Sequence, residues 1–170
     1  MTRRQDRDRS FGEYVAARRA HLYRTAYLLC GDPHRAEDIV QLALTKLYVA
    51  WPRVSRLDSV DAYVRRIVVN AHIDETRRPW RRERPVETGL DRPADHAVAP
   101  EDSDALWTAL RGLAPGQRRA VVLRHYWGLS VEETAADLGI SPGTVKSQTS
   151  DALARLRAAL SAARTPGEHR

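Results

Sequence analysis

The sequence predicts an all-α protein: two small helical domains joined by a flexible acidic linker. Three observations predict it. Apolar residues recur at helical spacing from Phe11 to Arg78 and again from Ala105 to Leu160, and no run alternates as a strand would. Between these stretches Pro79, Pro85, Pro93 and Pro100 stand among Gly89 and several acids, a composition that neither holds a long helix nor buries a core. Charge divides in the same way. Residues 1–85 carry 18 basic and 11 acidic side chains, 86–104 carry one and six, and 105–170 carry nine and five. Two basic bodies flank an acidic connector, and 170 residues suit two domains of modest size.

The first helix is read in "SFGEYVAARRAHLYRTAYLLCG". Ser10 and Glu13 form a capping box, Phe11, Tyr14, Val15, Leu22, Ala26 and Leu29 keep helical spacing, and Gly31 is the stop. Asp32 caps the second helix with Pro33 at its first position. Ile39, Val40, Leu44, Leu47, Tyr48 and Trp51 give that helix its apolar positions, and Pro52 is expected to end it. The loop "PRVSRLDS" leads to a third helix, "VDAYVRRIVVNAHIDETRR". There the stripe Val60, Tyr63, Val64, Ile67 and Ala71 is expected to face inward, with Arg65, Arg66 and Asn70 facing away.

Past the connector come "DALWTALRGL" and "PGQRRAVVLRHYWG", and then a pair of helices with doubled caps. Ser130 and Glu133 form a capping box for a short helix that stops at Gly139. Ser141 caps the next helix and Pro142 takes its first position. Helix, glycine turn and second capped helix is the layout that puts the second helix into a DNA major groove. On that helix Val145, Thr149, Ala152, Leu153, Leu156 and Leu160 form an apolar stripe, for which Ala135, Leu138, Val121, Val122 and Leu106 are candidate partners. Gly143, Thr144, Ser147, Ser150 and Asp151 form the opposite face, flanked by Lys146 and Gln148; Arg155 and Arg157 follow. Small hydrogen-bonding residues there let the backbone approach DNA and reach base edges. The plainer alternative is a helical hairpin whose polar face is only wet.

A net charge of +6 and a sequence pI near 10 point to an acidic partner, though arginine faces also serve solubility. Cys30 is alone, which excludes an intrachain disulfide and a cysteine zinc site. The N-terminal "RR" has no apolar run behind it, so no secretory or twin-arginine signal is read, and no window approaches 18 apolar residues. The expected location is cytoplasmic, without membrane insertion. The six histidines are scattered without HExxH, no phosphate-cradling GxxxxGK[ST] is present, and no paired carboxylates stand out. The sequence thus predicts no enzyme, no metal and no cofactor. His125 beside Tyr126 and Trp127 reads as packing or partner contact rather than a ligand.

Together these motifs resemble the extracytoplasmic-function sigma factors of bacterial RNA polymerase, in particular the short sigma-E-like branch common in actinobacteria. "TAYLLCGDPHRAEDIVQLALTKLYVAW" is similar to the family's core-binding helix pair, "DAYVRRIVVNAHIDETRR" to its −10 reading helix, and "LSVEETAADLGISPGTVKSQTSDALARLR" to its −35 reading domain. The resemblance implies sigma domain 2 over residues 10–84, a linker over 85–103 and sigma domain 4 over 104–162, with tails at 1–9 and 163–170. It implies that Asp38, Gln41, Lys46 and Leu47 contact the polymerase clamp; Leu44 and Leu47 could instead serve only the domain's own core. The family pattern has an acid after the glutamine, where this chain has Leu42.

For the −10 element the resemblance implies a loop that catches a flipped base, with Arg53, Arg56, Arg65, Arg66, Asn70, Arg77 and Arg78 holding strand or base. Five arginines between 77 and 84 would grip the backbone. For the −35 element it implies Thr144, Lys146, Ser147, Gln148, Ser150, Asp151 and Arg155. The partners implied are core RNA polymerase (clamp and flap) and promoter DNA; family members are often held by an anti-sigma factor as well, and the sequence leaves open whether one exists for this chain. The acidic linker would thread toward the active-site channel and compete there with nascent RNA. Little follows Leu160, so no further C-terminal sensory domain is expected.

Asp151 departs from the arginine usual in the family. It can accept from cytosine N4 and specify that base, or it can repel a phosphate and leave Lys146, Arg155 and Arg157 as anchors. Two rival functions complete the reading. A stand-alone helix-turn-helix regulator would bind promoters tightly without polymerase. A serine recombinase would need a strand-rich N-terminal domain, which the helical periodicity of 11–78 opposes.

Overall fold

The computed structural model describes residues 2–77 and 100–164, the second segment with side chains from Ala105 onward. Among these residues there is no strand, and the chain divides into two compact units, Met1–His96 and Ala97–Arg170. The acidic connector lies outside the described residues as far as residue 99, as do Arg78 and the chain beyond Arg164.

The first unit is built of α1 (Arg3–Cys30), α2 (Pro33–Val54) and α3 (Val60–Thr76), each packed on the other two. Helix α1 starts earlier than its sequence suggests. Thr2, not Ser10, is the N-cap, and it forms the capping box with Gln5. Residues 3–9, expected as a tail, are helical because α2 gives them partners. The Arg7 guanidinium donates to the Tyr48 hydroxyl (2.6 Å), and that hydroxyl donates to Asp8 Oδ1 (2.7 Å). Ser10 Oγ is taken up by the indole N–H of Trp51 (2.9 Å), so it is a tertiary acceptor rather than a cap.

Gly31 ends α1 at φ 69°, a left-handed conformation that costs glycine little. Asp32 then caps α2 by accepting from the backbone N–H of His34 and Arg35. Pro52 does not end α2, which runs on to Val54. A proline this near a C-terminus deletes one ladder bond, and the fully buried Val54 holds the last turn in the core.

Leu22 and Leu29 of α1, Ile39 and Leu47 of α2, and Val64 and Val68 of α3 are at most 2% exposed and centre the core. The buried sector of α3 is wider than the predicted stripe. Val64 and Ala71 are inside as expected, but so are Val68, Val69, His72 and Arg65, while Tyr63 and Ile67 are half-exposed. A helix that packs against two neighbours needs a broader inward sector than one that packs against one.

The second unit holds α4 (Pro100–Arg111), α5 (Pro115–Val121), α6 (Val131–Leu138) and α7 (Pro142–Arg164). Helix α5 continues into one π-helical turn, Val122–Tyr126, closed by Trp127 N–H to the Val122 carbonyl (3.2 Å). Leu110, Leu113, Leu123 and Val145 form the core, with Trp107 against it. Leu106, expected as a partner for the α7 stripe, is 39% exposed, and Trp107 and Leu110 face inward in its place. The guanidinium groups of Arg111 and Arg118 lie 5.8 and 5.4 Å from the centre of the Trp107 ring, within reach of cation–π attraction.

Candidate nucleic-acid interface

In the second unit the helix pair is set by its own local chemistry. Ser130 Oγ accepts from the Glu133 N–H (3.0 Å) and Glu133 Oε2 accepts from the Ser130 N–H (2.8 Å), which closes the reciprocal box. Gly139 turns the chain at φ 65°. Ser141 Oγ then accepts from the Thr144 N–H (3.1 Å) and shares a 2.8 Å hydrogen bond with the Thr144 hydroxyl. On α7, Val145, Thr149 and Ala152 are buried and Leu153, Leu156 and Leu160 half-buried, the stripe the sequence predicts.

The opposite face brings most of the expected readers together. Gly143, Lys146, Ser147, Ser150, Asp151 and Arg155 are exposed, and Thr144 is half-buried. Gln148 is different. A Cβ on Gly116 of α5 would fall 2.7 Å from Gln148 Nε2, so this side chain lies against α5, with Oε1 buried and without a hydrogen-bond partner.

In the first unit a groove runs between α2 and α3. One end is lined by Asp38, Leu42, Lys46, Asn70, Asp74 and Glu75, the other by Thr45, Val49, Arg53, Tyr63 and Ile67. Exposed Asp38, Gln41 and Lys46 stand on α2, and exposed Arg66 and Asn70 on α3. Arg53, Arg56 and Arg77 are exposed as well; Arg78 lies outside the described residues.

Two expected surface residues are not on the surface. Leu47 is fully buried and packs the core, so it offers nothing to a partner. Arg65 is 7% exposed, because the wide buried sector of α3 takes it in, and it lies away from the open face of Arg66 and Asn70. In their place α2 exposes Leu42 (45%) and Val49 (77%), and the loop exposes Leu57 (52%). The signal for the first two was in the sequence, since both fall outside the apolar positions assigned to α2.

Comparison with known proteins decides what this pair of units is. Residues 14–82 match Sigma-70 region 2, and residues 103–156 match Sigma-70, region 4. The chain is 43% identical over 148 residues to the RNA polymerase sigma-E factor of Streptomyces coelicolor, an alignment covering 86% of this chain and 84% of the relative. It belongs to the extracytoplasmic-function sigma factors. An ECF RNA polymerase sigma factor of Mycolicibacterium smegmatis, SigE, is 34% identical over 82% of this chain and 57% of its own length. Among solved structures, the sigma factor RpoE from Bartonella quintana, in complex with the anti-sigma factor NepR, aligns with a TM-score of 0.71 at 26% identity. That alignment covers 89% of this chain and 97% of RpoE. CnrH, in complex with the cytosolic domain of CnrY, aligns with a TM-score of 0.66 at 26% identity over 91% and 90% of the two chains.

In this sigma factor the groove and Arg66 lie within the region 2 match, and α6 with the first fifteen residues of α7 within the region 4 match. No described helix is long and apolar enough to cross a membrane, and no described cluster of His, Cys, Asp or Glu could hold a metal ion. Burial pushes the Cys30 thiol up to about 11, and the thiol donates to the Asp32 carbonyl. A thiol so protonated is a poor nucleophile near neutral pH.

Proposed function

We propose that this sigma factor binds core RNA polymerase and directs initiation at promoters that it selects through −10 and −35 elements. The polymerase supplies the chemistry, and the chain itself catalyses nothing. The observation that carries this reading is the pairing, in one chain, of a region 2 groove edged by exposed arginines with a region 4 helix pair presenting exposed polar side chains.

Helix α2 meets the clamp through Asp38, Gln41 and Lys46, with Leu42 and Val49 adding apolar contact beside them. The loop at residues 55–59 and the outer face of α3 hold the −10 strand through Arg53, Arg56, Arg66, Asn70 and Arg77. The N-terminal half of α7 enters the major groove at −35 with Thr144, Lys146, Ser147, Ser150 and Asp151, while Arg155 grips phosphate. Sigma domain 2 spans 10–84 and sigma domain 4 spans 104–162, with the helical residues 3–9 extending the first. The factor works in the cytoplasm and takes an anti-sigma factor as a further partner, a reading supported by the complex of its structural relative RpoE with the anti-sigma factor NepR.

The test is transcription in vitro with purified core polymerase on a promoter library. Polymerase-dependent initiation from a shared pair of elements is expected. Tight promoter binding by the chain alone, with no initiation at any promoter, would favour a stand-alone regulator instead.

A further inference from the structure

We infer that Tyr14 of α1 braces the two ends of the loop at residues 55–59 and is a positioning residue for capture of the −10 base; this rests on the assignment of that loop to the −10 element. The loop is short and outward. Ser55, Arg56, Leu57, Asp58 and Ser59 are all exposed, and Leu57 N–H to the Val54 carbonyl (3.0 Å) gives it one internal turn. Its shape therefore depends on where α2 leaves it and where α3 takes it up.

Tyr14 touches both places. Its ring lies 5.4 Å from that of Trp51, whose carbonyl accepts from Ser55 N–H at the end of α2. Its hydroxyl donates to Asp61 Oδ1 (2.7 Å), in the first turn of α3, two residues past the Ser59 cap. Each anchor has a second hold on α1. Trp51 is 5% exposed, packs edge-on against Phe11 (5.3 Å) and donates to Ser10 Oγ. Asp61 receives Arg18 through Nε (3.1 Å) and Nη2 (2.9 Å).

Burial, and then the hydrogen bond to Asp61, raise Tyr14 well above the usual phenol range, so it remains a donor throughout the working pH. Ser10 and Phe11 precede the region 2 match, which begins at Tyr14, so part of the brace lies outside the shared family segment. A base that leaves its stack needs a pocket already in place, because unstacking costs a few kcal/mol that the site must return. A loop pinned at both ends forms that pocket before the strand arrives.

The experiment uses the full chain with core polymerase on a promoter recovered from the library. Tyr14→Phe keeps the ring on Trp51 and removes the donor to Asp61, and Asp61→Asn removes the ion pair with Arg18. Arg19→Gln, on the same helix as Tyr14, breaks the 2.6 Å ion pair of Arg19 with Glu37 of α2 and is the control for general loosening. Three quantities are read: transcription on templates varied at each −10 base, fluorescence of 2-aminopurine placed at the captured base, and affinity for core and for a −35 duplex.

Tyr14→Phe and Asp61→Asn are expected to lower −10 base discrimination and the 2-aminopurine signal, by about tenfold for the former, the scale of one hydrogen bond to a charged group. Core and −35 affinities should hold, and Arg19→Gln should match wild type throughout. Wild-type discrimination retained in Tyr14→Phe overturns the brace and leaves the loop assignment standing. An equal loss in Arg19→Gln also overturns it, by showing that any weakening of α1 suffices. A wild-type factor indifferent to every −10 base overturns the loop assignment, and the brace with it.

Discussion

The two units reach their surfaces by different routes. In the second, the polar face of α7 is fixed by bonds between residues three apart: Ser130 with Glu133, and Ser141 with Thr144. In the first, the helices are fixed by bonds between residues 18 to 47 apart, as in Arg19 with Glu37, Trp51 with Ser10, and Tyr14 with Asp61. A local bond sets a helix start wherever the segment lies, whereas a distant bond exists only after the helices have packed. The second surface is thus built into its segment, and the first is a property of the assembled domain.

The largest expected effect separates core from surface on α2. Leu47→Ala should cost about 2–5 kcal/mol, the range for truncating a fully buried leucine. Gln41→Ala, at an exposed position, should change stability by less than about 0.5 kcal/mol and weaken binding to core polymerase. Chemical denaturation and core titration of both variants measure this. Comparable stability losses would erase the line drawn between the two residues.

A smaller effect contrasts two sequences with the same pattern. Ser10–Glu13 and Ser130–Glu133 both read as capping boxes, but only the second is one. Glu133→Ala and Ser130→Ala should each destabilise the second unit by about 1 kcal/mol. Glu13→Ala should leave thermal unfolding of the first unit unchanged. A matching loss at Glu13 would mean that α1 starts where the pattern puts it.

That contrast also shows how much could be read from the chain. Gly31, Asp32, Ser130, Gly139 and Ser141 were legible, because each acts on backbone within four residues of itself. The helical class and the α7 stripe were legible from period alone. Three departures share a cause. Ser10, Leu47 and Arg65 are each settled by packing between helices: Ser10 accepts from Trp51 of α2, and Leu47 and Arg65 are buried in a unit whose three helices each pack on the other two. A helical wheel shows a mean direction and gives no width to the buried sector, so the stripe it predicts for α3 is narrower than the sector that α3 buries.

Asp151 tests the face of α7 more gently. It is exposed and makes no hydrogen bond or ion pair among the described residues, so no described side chain aims it at a base. Asp151→Arg should then tighten DNA binding several-fold across sequences and steepen the salt dependence by about one phosphate contact. Titrations of −35 duplexes at several salt concentrations measure both. A change of preference at one base pair, with no general gain, would make Asp151 a specific acceptor for cytosine.

The smallest effect concerns the reader held back from that face. An added methyl at Gly116 would meet Gln148 at Nε2 (2.7 Å) and Cδ (3.3 Å), the far end of a flexible side chain, so Gln148 can swing away. Doing so releases its buried and unpartnered Oε1, and alanine is favoured over glycine within a helix by about 0.5–1 kcal/mol. Gly116→Ala should therefore leave the second unit as stable as before or slightly more so, with Gln148 moved out beside Lys146 and Ser147. A glutamine there can pair with adenine through N6 and N7, so selection of −35 sequences should shift toward adenine at one position. Thermal melting and sequence selection with the same variant separate the two claims. Destabilisation beyond about 1 kcal/mol with an unchanged −35 preference would mean that Gln148 is locked against α5, and that the exposed face of α7 works without it.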